Sequence, residues 1–203
     1  MRLYERWLLP GLLDLAMRNR ALDRFRRQTV ASAHGKVLEI GAGSGLNLAL
    51  YGAAVERVVA IDPSPGLLHR AGGRIADARV PVSLVRASAE RLPFAASAFD
   101  TIVMTWTLCS IPDPAAALAE MRRVLVPGGV LAFVEHGLAP QPGIARWQHR
   151  LTPYWKPIAG GCHLDRGIDA LIRDAGFRLD ALDTGYIRGP KPWTFMYQGR
   201  ATA

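Results

Sequence analysis

Apolar and polar positions alternate along this chain in short blocks, and the blocks switch between a strand-like and a helix-like period. Apolar runs bounded by turn residues predict strands over 36–40, 58–61, 82–86, 100–105, 130–135, 177–183 and 193–198. Apolar residues at helical spacing predict helices over 46–51, from Ser64-Pro65 onward, over 115–125 behind Asp113, and over 165–175. Such alternation is typical of an α/β fold, so we expect a doubly wound, mostly parallel seven-stranded sheet with helices on both faces.

Two segments do not follow this alternation. Residues 137–160 contain several prolines and no clear period, which predicts a long irregular insert of the kind that often carries function. Residues 1–28 predict an N-terminal amphipathic helical segment, interrupted at Pro10-Gly11. Its apolar face holds Leu3, Trp7, Leu8, Leu12, Leu15 and Ala16. Neither segment resembles a linker, so residues 1–203 are predicted to form a single domain.

The turn after the first predicted strand carries a glycine pattern suited to a nucleoside. Residues 37–45 read Val-Leu-Glu-Ile-Gly-Ala-Gly-Ser-Gly. Glycine lets a backbone turn tightly and approach a ligand. The next apolar run ends at Asp62, 21 positions after Gly41, where a carboxylate can bind ribose hydroxyls. Leu46 replaces the third glycine of the dinucleotide fingerprint, and no lysine follows in P-loop register, so neither a dinucleotide nor a triphosphate is predicted.

This glycine pattern resembles motif I of the class I S-adenosylmethionine-dependent methyltransferases. Residues 86–100 and the Leu-Val-Pro-Gly-Gly turn of residues 125–129 are similar to the same family. The resemblance implies S-adenosylmethionine as the cofactor. It also implies that Glu39, Gly41, Gly43 and Gly45 bind the methionine part, Asp62 the ribose, and Ser88 with Ala89 the adenine. Ser88 is a departure, because the family carries an acidic residue at that position.

A narrower resemblance covers the C-terminal half. The segments 107–111, 134–136 and 154–162, the last reading Tyr-Trp-Lys-Pro-Ile-Ala-Gly-Gly-Cys, are similar to the methyltransferase-like-7 family. That family includes membrane-associated enzymes that methylate alkyl thiols, and bacterial relatives are often labelled phospholipid methyltransferases. The resemblance therefore implies methyl transfer to a small apolar acceptor, with a thiol favoured and a phospholipid or other amine at a membrane surface as the alternative. A non-catalytic nucleoside-binding module remains a further alternative.

Acceptor chemistry depends on whether a base is needed. A sulfonium methyl is already activated, so positioning is the main task. A thiol ionises with little help, whereas an amine must first lose its proton. His136, at the predicted carboxyl end of the fifth strand, is the candidate base. Trp106, Trp147, Tyr154 and Trp155 are the candidate walls of an apolar acceptor pocket. No metal site is predicted, because the spacing of Cys109, His136, Cys162 and His163 resembles no ligand pair of the Cys-x-x-Cys kind.

The net charge suggests possible partners of the protein, and the cysteine content suggests its cellular location. The formal net charge of +8 suggests nucleic acid or an anionic membrane surface. No Asn-Pro-Pro-Tyr-like motif of base methylators is present, so nucleic acid is the less favoured partner. Two cysteines make no disulfide framework, which indicates a reducing cytoplasm. The sequence also predicts no signal peptide and no apolar run long enough to span a bilayer.

The N-terminal segment leaves two roles open. Arg18, Arg20, Arg24, Arg26 and Arg27 crowd one short stretch of it. The segment could lie across the cofactor cleft or the sheet edge with its arginines solvated, or it could contact anionic lipid peripherally through Trp7 and the leucines. Nothing in the sequence indicates the oligomeric state.

Overall fold

The computed structural model describes Tyr4 and residues 8–203, and it contains one seven-stranded sheet with helices packed on both faces. The strands are β1 Gly35–Ile40, β2 Val55–Ile61, β3 Val82–Val85, β4 Phe99–Thr105, β5 Leu125–His136, β6 Arg178–Tyr186 and β7 Phe195–Thr202. The helices are α1 Leu9–Met17, α2 Arg20–Val30, α3 Pro65–Gly72, α4 Pro114–Val124, α5 Pro142–Trp155, α6 Ile168–Asp174 and α7 Lys191–Thr194.

The sheet order is β3-β2-β1-β4-β5-β7-β6, which confirms the predicted doubly wound topology. Strands β1 to β5 pair in parallel, whereas β7 runs antiparallel to both of its neighbours. The chain leaves β1 in one direction to build β2 and β3, and later returns to the other side of β1 with β4. The resulting switch between β1 and β4 is where open α/β sheets bind their ligands.

The central strands are buried on both faces because they are apolar at successive positions. Pleating sends neighbouring side chains to opposite faces of a sheet. Leu38, Ile40 and Ile102 accordingly join one apolar cluster, while Val37 and Val103 join a second cluster on the other face. This is the sequence pattern that the near-continuous apolar runs predicted.

Both predicted helix caps are present. The Asp113 side chain accepts a hydrogen bond from the Ala116 N–H at 3.0 Å and begins α4. The Ser64 hydroxyl accepts one from Leu67 N–H at 3.4 Å and begins α3. Each cap satisfies a backbone donor that the first helical turn leaves free. The helix predicted over 46–51 is shorter than expected, a single 3-10 turn over Leu48–Leu50.

The N-terminal break lies elsewhere than predicted. Pro10 sits in the first turn of α1, where a missing N–H costs nothing, so Pro10-Gly11 does not interrupt the helix. The chain breaks instead at Arg18-Asn19, where the Asn19 side chain accepts from Ala21 N–H at 3.0 Å and begins α2. Leu3 and Trp7 of the predicted apolar face lie outside the described residues.

The expectation of an irregular insert over 137–160 is wrong for most of its length, because α5 occupies 142–155. The two residues that this helix buries, Gln148 and Thr152, are both polar. The Gln148 amide donates to the Gly137 carbonyl at 2.9 Å and accepts from Ala139 N–H at 2.8 Å. Buried polar residues of this kind hide a helical period from a count of apolar positions. Within the described part of the chain, no helix is long and apolar enough to cross a membrane.

Candidate functional site

The glycine turn after β1 forms one wall of a large cavity at the carboxyl ends of β1, β2 and β4. Gly41, Gly43 and Gly45 have φ angles of +66°, +57° and +80°, a region that favours glycine. A Cβ on Gly41 would come within 2.3 Å of the Thr107 side chain, and one on Gly45 within 2.9 Å of Leu48. A Cβ on Gly43 would meet nothing closer than 3.9 Å. Packing therefore requires Gly41 and Gly45, whereas Gly43 faces the open cavity.

Asp62 ends β2 at the edge of the same cavity and is only 6% exposed. One carboxylate oxygen accepts the Gly43 N–H at 2.9 Å, and the other accepts the Ser64 N–H at 2.8 Å. Burial raises the pKa of Asp62 above its ordinary value, although these two hydrogen bonds oppose the shift. Because a carboxylate offers about four lone-pair sites, both oxygens can still accept from a ligand.

Ser88 and Ala89 follow β3 and line the cavity beside Asp62, as the predicted adenine contacts would. The Ser88 hydroxyl donates to the Glu90 carboxylate at 2.7 Å, and it accepts weakly from the Glu90 N–H at 3.4 Å. Its proton is thus directed away, which leaves the oxygen free to accept from an amino group.

Glu39 has a different position from the predicted one, because it does not line the cavity. It is 1% exposed, and its oxygens accept from Asn47 Nδ2 at 3.0 Å and from the Tyr51 hydroxyl at 2.8 Å. Burial raises the pKa of Glu39 to about 7, against the opposing effects of the two hydrogen bonds and of Arg26. Glu39 is connected to the cavity through Asn47, whose side-chain oxygen accepts from Arg26 at 3.1 Å.

Arg26 is buried, not solvated, and it lies over the ring of Trp106 with 4.7 Å between guanidinium carbon and ring centroid. Trp106 follows β4 with φ +51°, which is a rare conformation for a bulky residue and often marks a functional position. Both side chains line the cavity. The Arg26 guanidinium also donates to the Met17 carbonyl at 3.1 Å, so it ties α2, α1 and the sheet edge together.

The cavity measures about 910 Å³, and helix α1 closes one side of it with Leu9, Leu13 and Met17. The apolar face predicted for the N-terminal segment includes Leu8, Leu12 and Leu15, but those side chains are 63%, 53% and 71% exposed. The residues that face the cavity recur at i, i+4 and i+8 in the sequence. Helical spacing alone could therefore have identified this inner face. Helix α1 is therefore apolar on two faces, one inside the cavity and one in solvent.

An ionic anchor holds α1 in this position. Asp14 is 4% exposed and accepts from Arg74 at 2.9 Å and from Arg18 at 2.6 Å, with Arg70 at 3.9 Å. Burial opposes ionisation of Asp14, but hydrogen bonds from Ser44, Arg18 and Arg74 outweigh it and lower its pKa. Since Arg70 belongs to α3 and Arg74 follows it, the anchor joins α1 to the element that begins beside Asp62.

Of the four predicted acceptor-pocket aromatics, Trp106 alone lines the cavity. Trp147 and Tyr154 point outward from α5 and are 56% and 76% exposed. Trp155 packs edge to face on Trp193, with ring centroids 5.8 Å apart. The irregular part of the expected insert does contribute, because Lys156, Pro157, Ala159 and Gly160 line the same cavity.

His136 ends β5 as predicted but is not among the residues that line the cavity. Its Nε2 lies 3.0 Å from the Cys162 sulfur, and its buried Nδ1 has no hydrogen-bond partner among the described residues. A hydrogen bond from Cys162 and the charge of His136 lower the pKa of the Cys109 thiol, whereas the pKa of Cys162 is raised by its contact with Cys109. The ionisable side chains that line the cavity, among the described residues, are those of Asp14, Arg26, Asp62 and Lys156.

Comparison with known proteins agrees with this geometry. A family model described as a methyltransferase domain matches residues 38–133. The thiol S-methyltransferase TMT1B of Rattus norvegicus is 37% identical over 134 residues, which cover 64% of this chain and 54% of that protein. The chain thus spans about half the length of that relative. A phosphatidylethanolamine N-methyltransferase of Cereibacter sphaeroides is 31% identical over 187 residues, which cover 90% of this chain and 88% of that protein.

A solved structure shares the fold at much lower identity. The N-methyltransferase NodS from Bradyrhizobium japonicum WM9, in complex with S-adenosyl-L-homocysteine, superposes with a TM-score of 0.69 at 16% identity. The superposition covers 91% of this chain and 88% of that chain. At that identity the likeness concerns the architecture of the sheet and its helices.

Proposed function

Because this chain belongs to the S-adenosylmethionine-dependent methyltransferases, we propose that it methylates a small apolar acceptor and that a thiol is the favoured nucleophile. When bound, the cofactor supplies a methyl group that its sulfonium already activates. The residues of the chain must then bind the nucleoside, exclude water and bring the acceptor into line with that methyl group.

The residues around the glycine turn fit the cofactor. Gly43 leaves open space where a side chain would otherwise project. In this proposal Asp62 accepts the ribose hydroxyls, while the Ser88 oxygen accepts the adenine amino group and Ala89 N–H serves a ring nitrogen. Asp62 is held in place by two backbone hydrogen bonds, so its orientation does not depend on the ligand.

The observation that carries the choice of a thiol is the set of ionisable groups in the cavity. Of the described residues that line it, none is a histidine, and this proposal assigns both carboxylates to other partners: Asp14 binds arginines, and Asp62 accepts the ribose hydroxyls. An acceptor in this cavity must therefore ionise by itself. A thiol with a pKa of about 8.5 is partly thiolate at neutral pH, whereas an amine with a pKa of about 10.4 is almost wholly protonated.

The charge and polarity of the acceptor side point the same way. Lys156 brings a positive charge to the lining, which favours a thiolate and disfavours an ammonium ion. Leu9, Leu13, Met17 and Ile111 supply apolar surface around it.

Two acceptors test the proposal: a cysteine derivative that carries an apolar acyl chain, whose thiol has a pKa of about 8.5, and an alkyl amine of similar length with a pKa of about 10.4, each incubated with labelled S-adenosylmethionine. We expect kcat/KM for the thiol to rise about tenfold per pH unit until the pKa of the thiol itself is reached. The amine should be at least 100-fold slower at neutral pH, since none of the described lining residues is placed to take its proton. Comparable rates for the two acceptors would contradict the proposal. Cofactor binding without turnover of any acceptor would instead support a non-catalytic nucleoside-binding module.

A second candidate function is N-methylation of a phospholipid amine at a membrane surface. The relative from Cereibacter sphaeroides, which matches this chain over most of both lengths, supports it. So does helix α1, whose solvent face carries Leu12 and Leu15 beside the exposed Leu8 that precedes it, while its other face lines the cavity. The exposed arginines near this helix suit an anionic bilayer, namely Arg18, Arg20, Arg24 and Arg27.

Vesicle experiments separate this candidate from the first. Binding to vesicles of phosphatidylethanolamine with phosphatidylglycerol should fall with salt and be lost on Leu12→Ser with Leu15→Ser. Methylated phosphatidylethanolamine should appear in the same vesicles, and neutral phosphatidylcholine vesicles serve as the control. Absence of binding and of methylated lipid would remove the membrane-surface function and leave α1 as a wall of the cavity.

A further inference from the structure

Cys109, His136 and Cys162 meet at one point of the fold although they are far apart in sequence. Cys109 follows β4, His136 ends β5, and Cys162 follows α5. One donor atom from each, two sulfurs and one ring nitrogen, lies within 4.8 Å of the other two. The sequence predicted no metal site because metal motifs are recognised by two ligands close together in one segment. Here three separate segments contribute one ligand each.

The surrounding contacts hold these three side chains in place. The Glu135 carboxylate is fully buried and accepts the N–H groups of Thr107 at 2.6 Å and Leu108 at 2.9 Å, which fixes the segment that carries Cys109. The Cys109 carbonyl accepts from His163 N–H at 2.8 Å, which joins that segment to the one with Cys162. A preorganised ligand set of this kind needs little rearrangement to bind an ion.

We propose that Cys109, His136 and Cys162 form a binding site for a thiophilic transition metal ion, with Zn²⁺ as the preferred ion. Two thiolates and one imidazole are the ligands that Zn²⁺ prefers, and a three-residue set leaves a fourth position for water or another donor. Two thiolates also neutralise the dication, which suits a site with two buried cysteines.

The separations of the three donor atoms are compatible with this ion. Tetrahedral Zn²⁺ with bonds of about 2.3 Å to sulfur and about 2.0 Å to nitrogen places its donors roughly 3.5–3.8 Å apart. The separations within 4.8 Å reach these values through small side-chain movements. A disulfide would require the sulfurs to approach to about 2.05 Å and would leave His136 without a role.

Trp155 donates a hydrogen bond to the Cys162 sulfur, which would be a negatively charged thiolate in the metal site. Its Nε1–H donates to Cys162 Sγ at 3.3 Å, and a donor to a ligating thiolate stabilises the negative charge that the metal requires. The Ser110 hydroxyl lies 3.6 Å from Cys109 Sγ, and Ser110 itself lines the large cavity. The proposed metal thus lies behind the acceptor wall and joins the segments that build it, whatever the acceptor is.

Cobalt is the spectroscopic probe for this site, used on the full, tag-free chain after reduction and chelation. Titration with Co²⁺ should give a thiolate-to-cobalt charge-transfer band and tetrahedral d–d bands that saturate at one ion per chain. Zn²⁺ should then abolish these bands by displacement and raise the thermal midpoint. Neither readout depends on methyl transfer.

Two conservative variants and one neighbouring control decide the outcome. Cys109→Ser and Cys162→Ser should each lower the affinity for Co²⁺ by more than about 100-fold. Loss of a residue that only supports a ligand lowers metal affinity by about 100-fold at most. His163→Ala, next to Cys162 but outside the ligand set, should keep the bands. The proposal is overturned if reduced wild-type protein gives no charge-transfer band, if the band survives in both serine variants, or if mass spectrometry shows a Cys109–Cys162 disulfide whose reduction yields no metal-binding protein.

Discussion

Replacing Glu39 by glutamine should change how the stability of this protein depends on pH. The carboxyl group is buried, and its pKa in the folded protein is about 7, against an ordinary value of 4.5. Between these two pH values the folded protein holds a proton that the unfolded chain has lost. The stabilisation from that proton is fully present below pH 4.5 and disappears as the pH rises through 7.

The size of the effect follows from the separation of the two pKa values. At about 1.4 kcal/mol per pH unit, this separation amounts to about 3 kcal/mol of unfolding free energy lost between mildly acidic and neutral pH. Glutamine has the same shape and no titration. Its amide changes the contacts with Asn47 and Tyr51 by an amount that is constant with pH. Only the pH dependence therefore reports on the ionisation of Glu39.

Urea unfolding followed by tryptophan fluorescence, from pH 4.5 to 8, measures this difference. The stability of Glu39→Gln relative to wild type should increase by about 3 kcal/mol across the range. Glu56→Gln is the matched control, because Glu56 is exposed on β2, and its difference from wild type should stay flat. A flat difference for Glu39→Gln as well would mean that folding does not raise the pKa of Glu39, and would refute the reasoning.

Three further changes probe the cavity. Asp62→Asn should weaken cofactor binding at least tenfold in calorimetry, because the charge-assisted hydrogen bonds to the ribose are lost; unchanged affinity would remove Asp62 from the site. Gly43→Ala should reduce cofactor affinity at a cost of about 1 kcal/mol in stability, whereas Gly41→Ala should lower the thermal midpoint more, since its Cβ would meet Thr107; the reverse order would contradict their placement. Asp14→Ala should raise KM for an apolar acceptor more than it lowers kcat, because α1 loses its ionic anchor, and an unaltered KM would exclude α1 from the acceptor wall.

The parts of the fold that the sequence predicted well are those in which one local rule acts alone. The apolar runs of the central strands are buried on both faces, and Asp113 caps its helix through a side chain that can do little else there. The positions of the glycine turn and of Asp62 could be predicted for the same reason. A left-handed backbone requires glycine, and a carboxylate at the end of an apolar run is visible in the sequence.

The remaining parts depend on contacts between distant segments. Trp147 and Trp155 lie eight residues apart on one helix, yet one faces solvent and the other packs on Trp193, which no local pattern decides. Glu39 was assigned to the ligand, but Tyr51 and Asn47 use its oxygens instead. His136 was considered as a base, and its environment is set by Cys162, 26 residues away.

The position of helix α1 over the cavity affects how ligands are held there and how fast a product can leave. Its inner face is completed by whatever occupies the cavity, and its position is otherwise kept by Asp14 and the guanidinium groups near α3. Ligand and helix therefore hold each other, and each must stabilise the other by the same free energy. A product that leaves on this side has to break the helix contacts first. Tighter docking of α1 would then slow release as it improves enclosure, so wherever release limits the rate, turnover is fastest at an intermediate strength of the anchor.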